Sequence, residues 1–199
     1  MKKTLLNILS RFLNIFFKKN LKGVVVLTTH EVKNKNLYNF ENRIKEIQNT
    51  HKFISPDTFF NYVKGKKQVE EKSVLITFDD GFLSSFNAAE KILDKYNIKA
   101  IFFIPTAILD LKSNSDEIKF LKENIYFNNL NKKTLHKEDY SFMKMKHLKK
   151  LNDNGHMLFP HTHSHVKLNT IKSNESFYNE LIRPRDFFTK IFSNEINAL

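Results

Sequence analysis

The sequence predicts an α/β domain with a mainly parallel sheet or barrel, and three observations predict it. Short runs of β-branched and aromatic residues recur, helix-like segments separate them, and the residues able to carry chemistry follow two of the runs directly. In sheets of this kind functional groups gather at the carboxyl ends of strands.

The elements follow in order. Val24-Val25-Val26-Leu27-Thr28 is a short buried strand, and Phe40 to Gln48 is a helix. Asp57 can cap a helix running through Phe59, Phe60 and Val63. Val74-Leu75-Ile76-Thr77-Phe78 is a second apolar strand, and Gly81 lets the chain turn at its end. A helix from about Ser84 to Tyr96 turns Phe86, Ala89, Ile92 and Leu93 inward, and Pro105 stops the strand Ala100-Ile101-Phe102-Phe103-Ile104. Asp110 to Asp139 is a long polar excursion with a helical middle. A helix from about Met145 to Asn152 ends at Asn154-Gly155, ahead of the apolar run Met157-Leu158-Phe159 and Pro160. A last helix spans roughly Glu175 to Phe192.

With 199 residues, 41% hydrophobic and 20 Phe, the chain has enough apolar side chain for a sizeable core and is not disordered. It has no cysteine, so thiolate metal sites, disulfides and cysteine nucleophiles are excluded. Thirty-three Lys and Arg against 21 Asp and Glu give a net charge of +12, which favours anionic partners. No nucleic-acid-binding signature accompanies the scattered lysines, so nucleic acid is not expected as a partner.

Residues 1–20 form a separate N-terminal element, and residues 21–199 form the domain. Leu5, Leu6, Leu9, Phe12, Leu13, Phe16 and Phe17 recur at helical spacing opposite Asn7, Ser10, Arg11, Asn14 and Lys18. The pattern fits two roles equally: contact with a membrane surface through residues 1–19, or packing of the apolar face on the rest of the fold. Asn7, Arg11 and Asn14 interrupt the apolar run and no small-residue cleavage site follows, which argues against a secretory signal or a spanning helix. The expected location is cytoplasmic or membrane-associated.

The chemistry is concentrated in two motifs. Asp79-Asp80-Gly81 follows a strand, and His161-Thr162-His163-Ser164-His165 comes some eighty residues later. Taken alone, Asp-Asp-Gly is most often a turn with a capping carboxylate. His161 and His165 are four apart, which on a helical turn brings both imidazoles to one side. His163 is expected to point elsewhere. In combination the motifs describe a metal site, because adjacent carboxylates repel unless a cation or proton separates them and imidazoles supply the neutral nitrogens that zinc and related ions favour. A two-metal phosphoesterase fits less well, since such sites need more His and Asp ligands.

The run from Thr77-Phe78-Asp79-Asp80-Gly81 through Lys99-Ala100-Ile101-Phe102-Phe103-Ile104 to Asn154-Gly155-His156 and His161-Thr162-His163-Ser164-His165 resembles the polysaccharide deacetylase family with the NodB homology domain. The resemblance extends from about Val24 to about Leu168. Val26-Leu27-Thr28-Thr29-His30-Glu31-Val32 also resembles the first strand of a subgroup acting on bacterial surface polysaccharides, in which a Tyr-His pair stands in place of Thr29-His30. The resemblance implies a distorted (β/α) barrel and metal-dependent hydrolysis of N-acetyl or O-acetyl groups on an amino-sugar glycan. It implies Asp79 as the general base and Asp80, His161 and His165 as the metal ligands, with zinc expected first and cobalt, manganese or nickel as alternatives.

The family pattern continues with an Arg-containing segment ending in a Tyr-Pro-Tyr-Gly-like strand, then a Leu-x-His segment whose His is a general acid; neither follows Leu168. Arg183 and Arg185 are not assigned to that Arg. The barrel is therefore expected to be incomplete at the C-terminus, with about four of its strands present. The alternative function is a deacetylase-like fragment that binds metal, glycan or a membrane surface without turnover.

Overall fold

A computed structural model of the chain describes residues 23–69, 72–126 and 141–192. Residues 1–20, for which an amphipathic helix is expected, lie outside the described residues.

Five parallel strands make the sheet. They are β1 (Val24–Thr29), β2 (Lys52–Phe53), β3 (Ser73–Phe78), β4 (Ala100–Ile104) and β5 (Met157–Pro160), in the order β1-β3-β4-β5. β1 runs beside the whole of β3, from Val24 opposite Ser73 to Thr29 opposite Phe78. The two-residue β2 pairs with the first two residues of β3 and β4 with the last three. Among the described residues this is the parallel α/β architecture of the barrel type, with four principal strands and one short one.

The period of two along the strands sorts their side chains onto two faces. Ile76, Phe78, Ala100, Phe102, Ile104 and Leu158 enter a large core beneath the helices. Leu75, Ile101 and Phe159 point the other way and join Ile54 in a smaller cluster. All six residues of β3 are buried, as a central strand covered on both faces must be.

The helices that cover the larger core follow the strands. α1 (Leu37–Gln48) contributes Ile44, and α3 (Leu83–Ala88), widening into a π-helical turn at Ala89–Leu93, contributes Phe86, Ala89, Ile92 and Leu93. α4 (Asn114–Phe120) likewise passes into a π-helical turn, Leu121–Ile125. α5 (Met145–Asp153) buries Leu148 and Leu151. α6 (Asn174–Phe177) runs through a third π-helical turn, Tyr178–Ile182, into α7 (Arg183–Phe192), which buries Phe188 and Phe192. α2 (Pro56–Val63) lies against the smaller cluster, where Phe60 meets Phe159 edge-on at 5.5 Å. Stacked rings join the larger core across strands, Phe78 on Phe102 with centroids 4.9 Å apart.

Three details differ from the sequence reading. Ser55, not Asp57, caps α2: its hydroxyl accepts from the Thr58 amide at 3.2 Å, Pro56 occupies the first turn, and Asp57 lies inside that turn. β1 is not a buried strand: it lies at the edge of the sheet among the described residues, none of its residues is fully covered, and Val26 is exposed. His161 and His165 are not on a helix; they lie on an irregular segment beyond β5, with Thr162 at φ 60° and His165 at φ 59°.

At the amino-terminal end of the sheet, the buried His156 pins β4 and β5 together. Its Nδ1 accepts from the Ala100 amide at 3.1 Å, so Nε2–H donates to Asp94 Oδ1, also at 3.1 Å. Asn154 and Lys99 complete the set around Asp94. Burial pushes the His156 imidazole below its usual pKa and outweighs the attraction of Asp94.

Candidate metal centre

The alternation that fills the two cores also aims the site. Leu75, Thr77 and Asp79 share one parity on β3 and its continuation, and Phe159 and His161 share the matching parity on β5. The ladder extends one residue past each strand: the Asp79 amide donates to Thr29 O at 3.0 Å, and the His161 amide to Ile104 O at 2.9 Å. Asp79 and His161 therefore reach the carboxyl rim on the same side of the sheet.

Asp80 and Gly81 then turn the chain with consecutive left-handed backbones, φ 68° and 70°. Gly81 has no alternative, since a Cβ there would lie 2.5 Å from Ile108 Cδ1 in a conformation L-residues rarely adopt. Residues 141–143 brace the turn as an antiparallel partner: Leu83 N donates to Ser141 O and Met143 N to Gly81 O, each at 2.9 Å.

The turn brings Asp80 into the sheet mouth, only 3% exposed. Its Oδ1 stands 3.2 Å from His165 Nε2 and 3.8 Å from His161 Nε2, yet receives no well-aligned hydrogen bond. A buried carboxylate oxygen without a hydrogen bond is costly in isolation. One oxygen and two imidazole nitrogens within 4.8 Å of one another could hold a single ion, and an ion would satisfy that oxygen. The donor set of one carboxylate and two neutral imidazoles suits zinc and its neighbours and leaves positions open for water or substrate.

Electrostatics distinguish the four groups. Burial lifts the Asp79 carboxyl above its usual range, opposed by His161 and His30 and reinforced by Asp80. Burial lowers His161, helped by the nearby His165, while its interaction with Asp80 raises His165. His163 turns away as expected, its Nδ1 2.8 Å from Thr106 Oγ1.

Residues 66–199 match the family model for polysaccharide deacetylase. The chain belongs to that family. Its fold resembles that of IcaB from Ammonifex degensii, with a TM-score of 0.65 at 18% identity over 88% of this chain and 72% of that one. It also resembles the Streptococcus pyogenes deacetylase PplD in complex with acetate, with a TM-score of 0.61 at 18% identity over 88% and 71% of the two chains. A de-N-acetylase from Aggregatibacter actinomycetemcomitans gives 0.58 at 18% identity over 86% and 76%. These likenesses establish the shared fold. No curated protein sequence matches the chain significantly. The polysaccharide deacetylase family is generally metal-dependent, and the Asp80, His161 and His165 cluster is where this member could accommodate an ion.

Two features of this deacetylase-family site were not assigned from sequence. His30, just beyond β1, has its Nε2 4.0 Å from Asp79 Oδ2 and a side chain 60% exposed at the rim. Ser85 in α3 fixes its backbone by donating to His30 O at 2.7 Å. The sequence signals for His30 were its place directly after a strand and the resemblance of Thr29-His30 to the Tyr-His pair of a family subgroup, neither of which gave it a role. The second feature is a set of side chains around the His-bearing segment, chiefly Asn124 and Glu180, which no motif marks. Among the described residues no helix is long and apolar enough to cross a membrane.

Proposed function

We propose that the chain is a metal-dependent carbohydrate deacetylase that removes acetyl groups, in the first instance N-acetyl groups, from an amino-sugar glycan. The observation that carries this reading is the convergence of Asp80, His161 and His165 within 4.8 Å beside Asp79, in a chain of the polysaccharide deacetylase family. Asp80, His161 and His165 are the residues that hold the ion, zinc before cobalt, manganese or nickel. A divalent ion there supplies Lewis acidity toward the acetyl carbonyl and makes a nearby water more acidic.

The protein's own groups do the rest. Asp79 takes a proton from the water whose oxygen attacks the acetyl carbon. The tetrahedral adduct expels the sugar nitrogen, which needs a proton as the C–N bond breaks; acetate and a free amine result. His30 is the proton source, being the one imidazole among the described residues at this rim that neither faces Asp80 nor is bonded to Thr106. A glycan that gains amines in this way becomes more cationic.

The test combines metal analysis with acetate release from a partially N-acetylated glucosamine polymer. The wild-type chain should carry about one ion and release acetate. Asp79→Asn and His30→Gln should each keep the ion and lose roughly 100- to 10,000-fold in turnover. A chain that binds no ion, or an Asp79→Asn variant of undiminished activity, would refute the assignment.

A further inference from the structure

The two imidazoles of the centre lie on a segment with no strand or helix to hold it, and His165 sits in a backbone region that a non-glycine residue keeps only when its surroundings impose it. Two π-helical turns, far apart in sequence, impose it here. From Tyr178–Ile182 comes Glu180: its backbone O accepts from the His163 amide at 3.0 Å, its Oε2 from the same amide at 3.1 Å and from the Ser164 amide at 2.9 Å, and its Oε1 from Ser164 Oγ at 2.8 Å. From Leu121–Ile125 comes Asn124, whose side-chain amide donates to Ser164 O at 2.8 Å and whose own carbonyl accepts from His165 Nδ1–H, also at 2.8 Å.

That last bond fixes the tautomer. With the proton on Nδ1, the lone pair of His165 is on Nε2, the atom facing Asp80. Glu180 uses both side-chain oxygens as acceptors. A π-helical turn carries one extra residue and re-aims the side chains it contains, which is how two helices reach one short segment from opposite sides.

We propose that Glu180 and Asn124 are positioning residues that set the affinity and geometry of the ion site by clamping residues 163–165. The proposal rests on the reading of Asp80, His161 and His165 as a metal centre. Neither residue touches the ion or the substrate; both act through His165.

The experiment uses the full chain stripped of metal and titrated with Zn²⁺ by calorimetry and with Co²⁺ by visible absorption. Glu180→Gln puts an NH₂ group where a donor now points in, so it should weaken binding about 10- to 100-fold and alter the Co²⁺ band. Ser164→Ala removes one of the three bonds to the Glu180 side chain and should weaken binding a few-fold. If Glu180→Gln only lowers the melting temperature of the ion-free chain, with affinity and the Co²⁺ band as in wild type, the clamp is merely structural and the proposal fails. Should Glu180→Gln not fold, Ser164→Ala and Asn124→Ala decide: weakened binding sustains the clamp and wild-type binding overturns it. A wild-type chain that binds neither ion defeats the metal centre itself, an outcome separate from failure of the clamp alone.

Discussion

Asp79 and Asp80 stand at the end of a six-residue strand that is buried throughout, whereas His161 to His165 follow a four-residue strand whose two end residues are only half-buried. The aspartate half is shaped by main-chain bonds: a central strand, a ladder bond from Asp79 to Thr29, two left-handed residues, and a turn paired with Ser141 and Met143. The histidine half borrows its shape. Beyond His161 it is held by Thr106 N on Thr162 O, Ala107 N on His163 O, and the side chains of Glu180 and Asn124. Both halves thus draw on backbone far away in sequence, but the histidine half also needs the side chains of Glu180 and Asn124.

The largest effect should come from removing a ligand on either side. Asp80→Ala and His161→Ala should each weaken Zn²⁺ binding by more than about 100-fold, beyond the range of outer-shell changes, and abolish acetate release. Retention of tight binding by either variant would show that the two halves do not share an ion.

Gly81→Val should break the aspartate half alone. It forces a β-branched residue to φ 70° against Ile108, so a loss of about 3 kcal/mol or more is expected in urea unfolding. A loss below about 1 kcal/mol would mean that the turn is adaptable.

Acidity should act both on the histidine half and on the His156 pin at the other end of the sheet. His165 carries a pKa raised above 6.5 in the ion-free chain, so protons compete with the ion there and affinity should fall as pH drops through that raised value. The His156 pKa is shifted the other way, below 6.5, so its contribution to stability is complete above 6.5 and is lost as pH falls toward the folded-state value. Urea melts of wild type and His156→Gln between pH 5 and 8 would separate the two. Equal pH slopes in both proteins would remove His156 from the account.

The smallest effect is expected at Thr162, a β-branched residue at φ 60° whose buried hydroxyl lacks a hydrogen-bond partner. Thr162→Gly relieves the backbone and gains chain entropy when unfolded, so stability should move by no more than about 1 kcal/mol. A larger loss would show that Thr162 contributes packing the left-handed geometry conceals.

The same division explains what the sequence made legible. β3 and β4 were visible because both their faces are covered, which leaves an uninterrupted run of apolar residues. The Asp-Asp-Gly turn was visible because a strand end and a glycine announce it. The spacing of His161 and His165 suggested convergence for the wrong reason: the rings do meet, 5.1 Å apart, but through two left-handed residues rather than one helical turn. Asp57 precedes the apolar face of α2 as Ser55 does, but with Pro56 in the first turn the cap is Ser55. Glu180 and Asn124 left no trace, since an acid and an amide on polar helical stretches look like solvated surface until the fold brings residues 163–165 against them.

Asp80 and His161 lie on opposite sides of most of the chain's folded core, counted along the backbone, yet their ligand atoms are 3.8 Å apart. Any ion that takes both works as a removable cross-link, closing a very long segment that the unfolded chain leaves open. Thermodynamic linkage then makes resistance to unfolding a gauge of occupancy: an ion present at 100 times its dissociation constant adds about 2.7 kcal/mol, so metal supply would govern the lifetime of the folded chain as well as its chemistry.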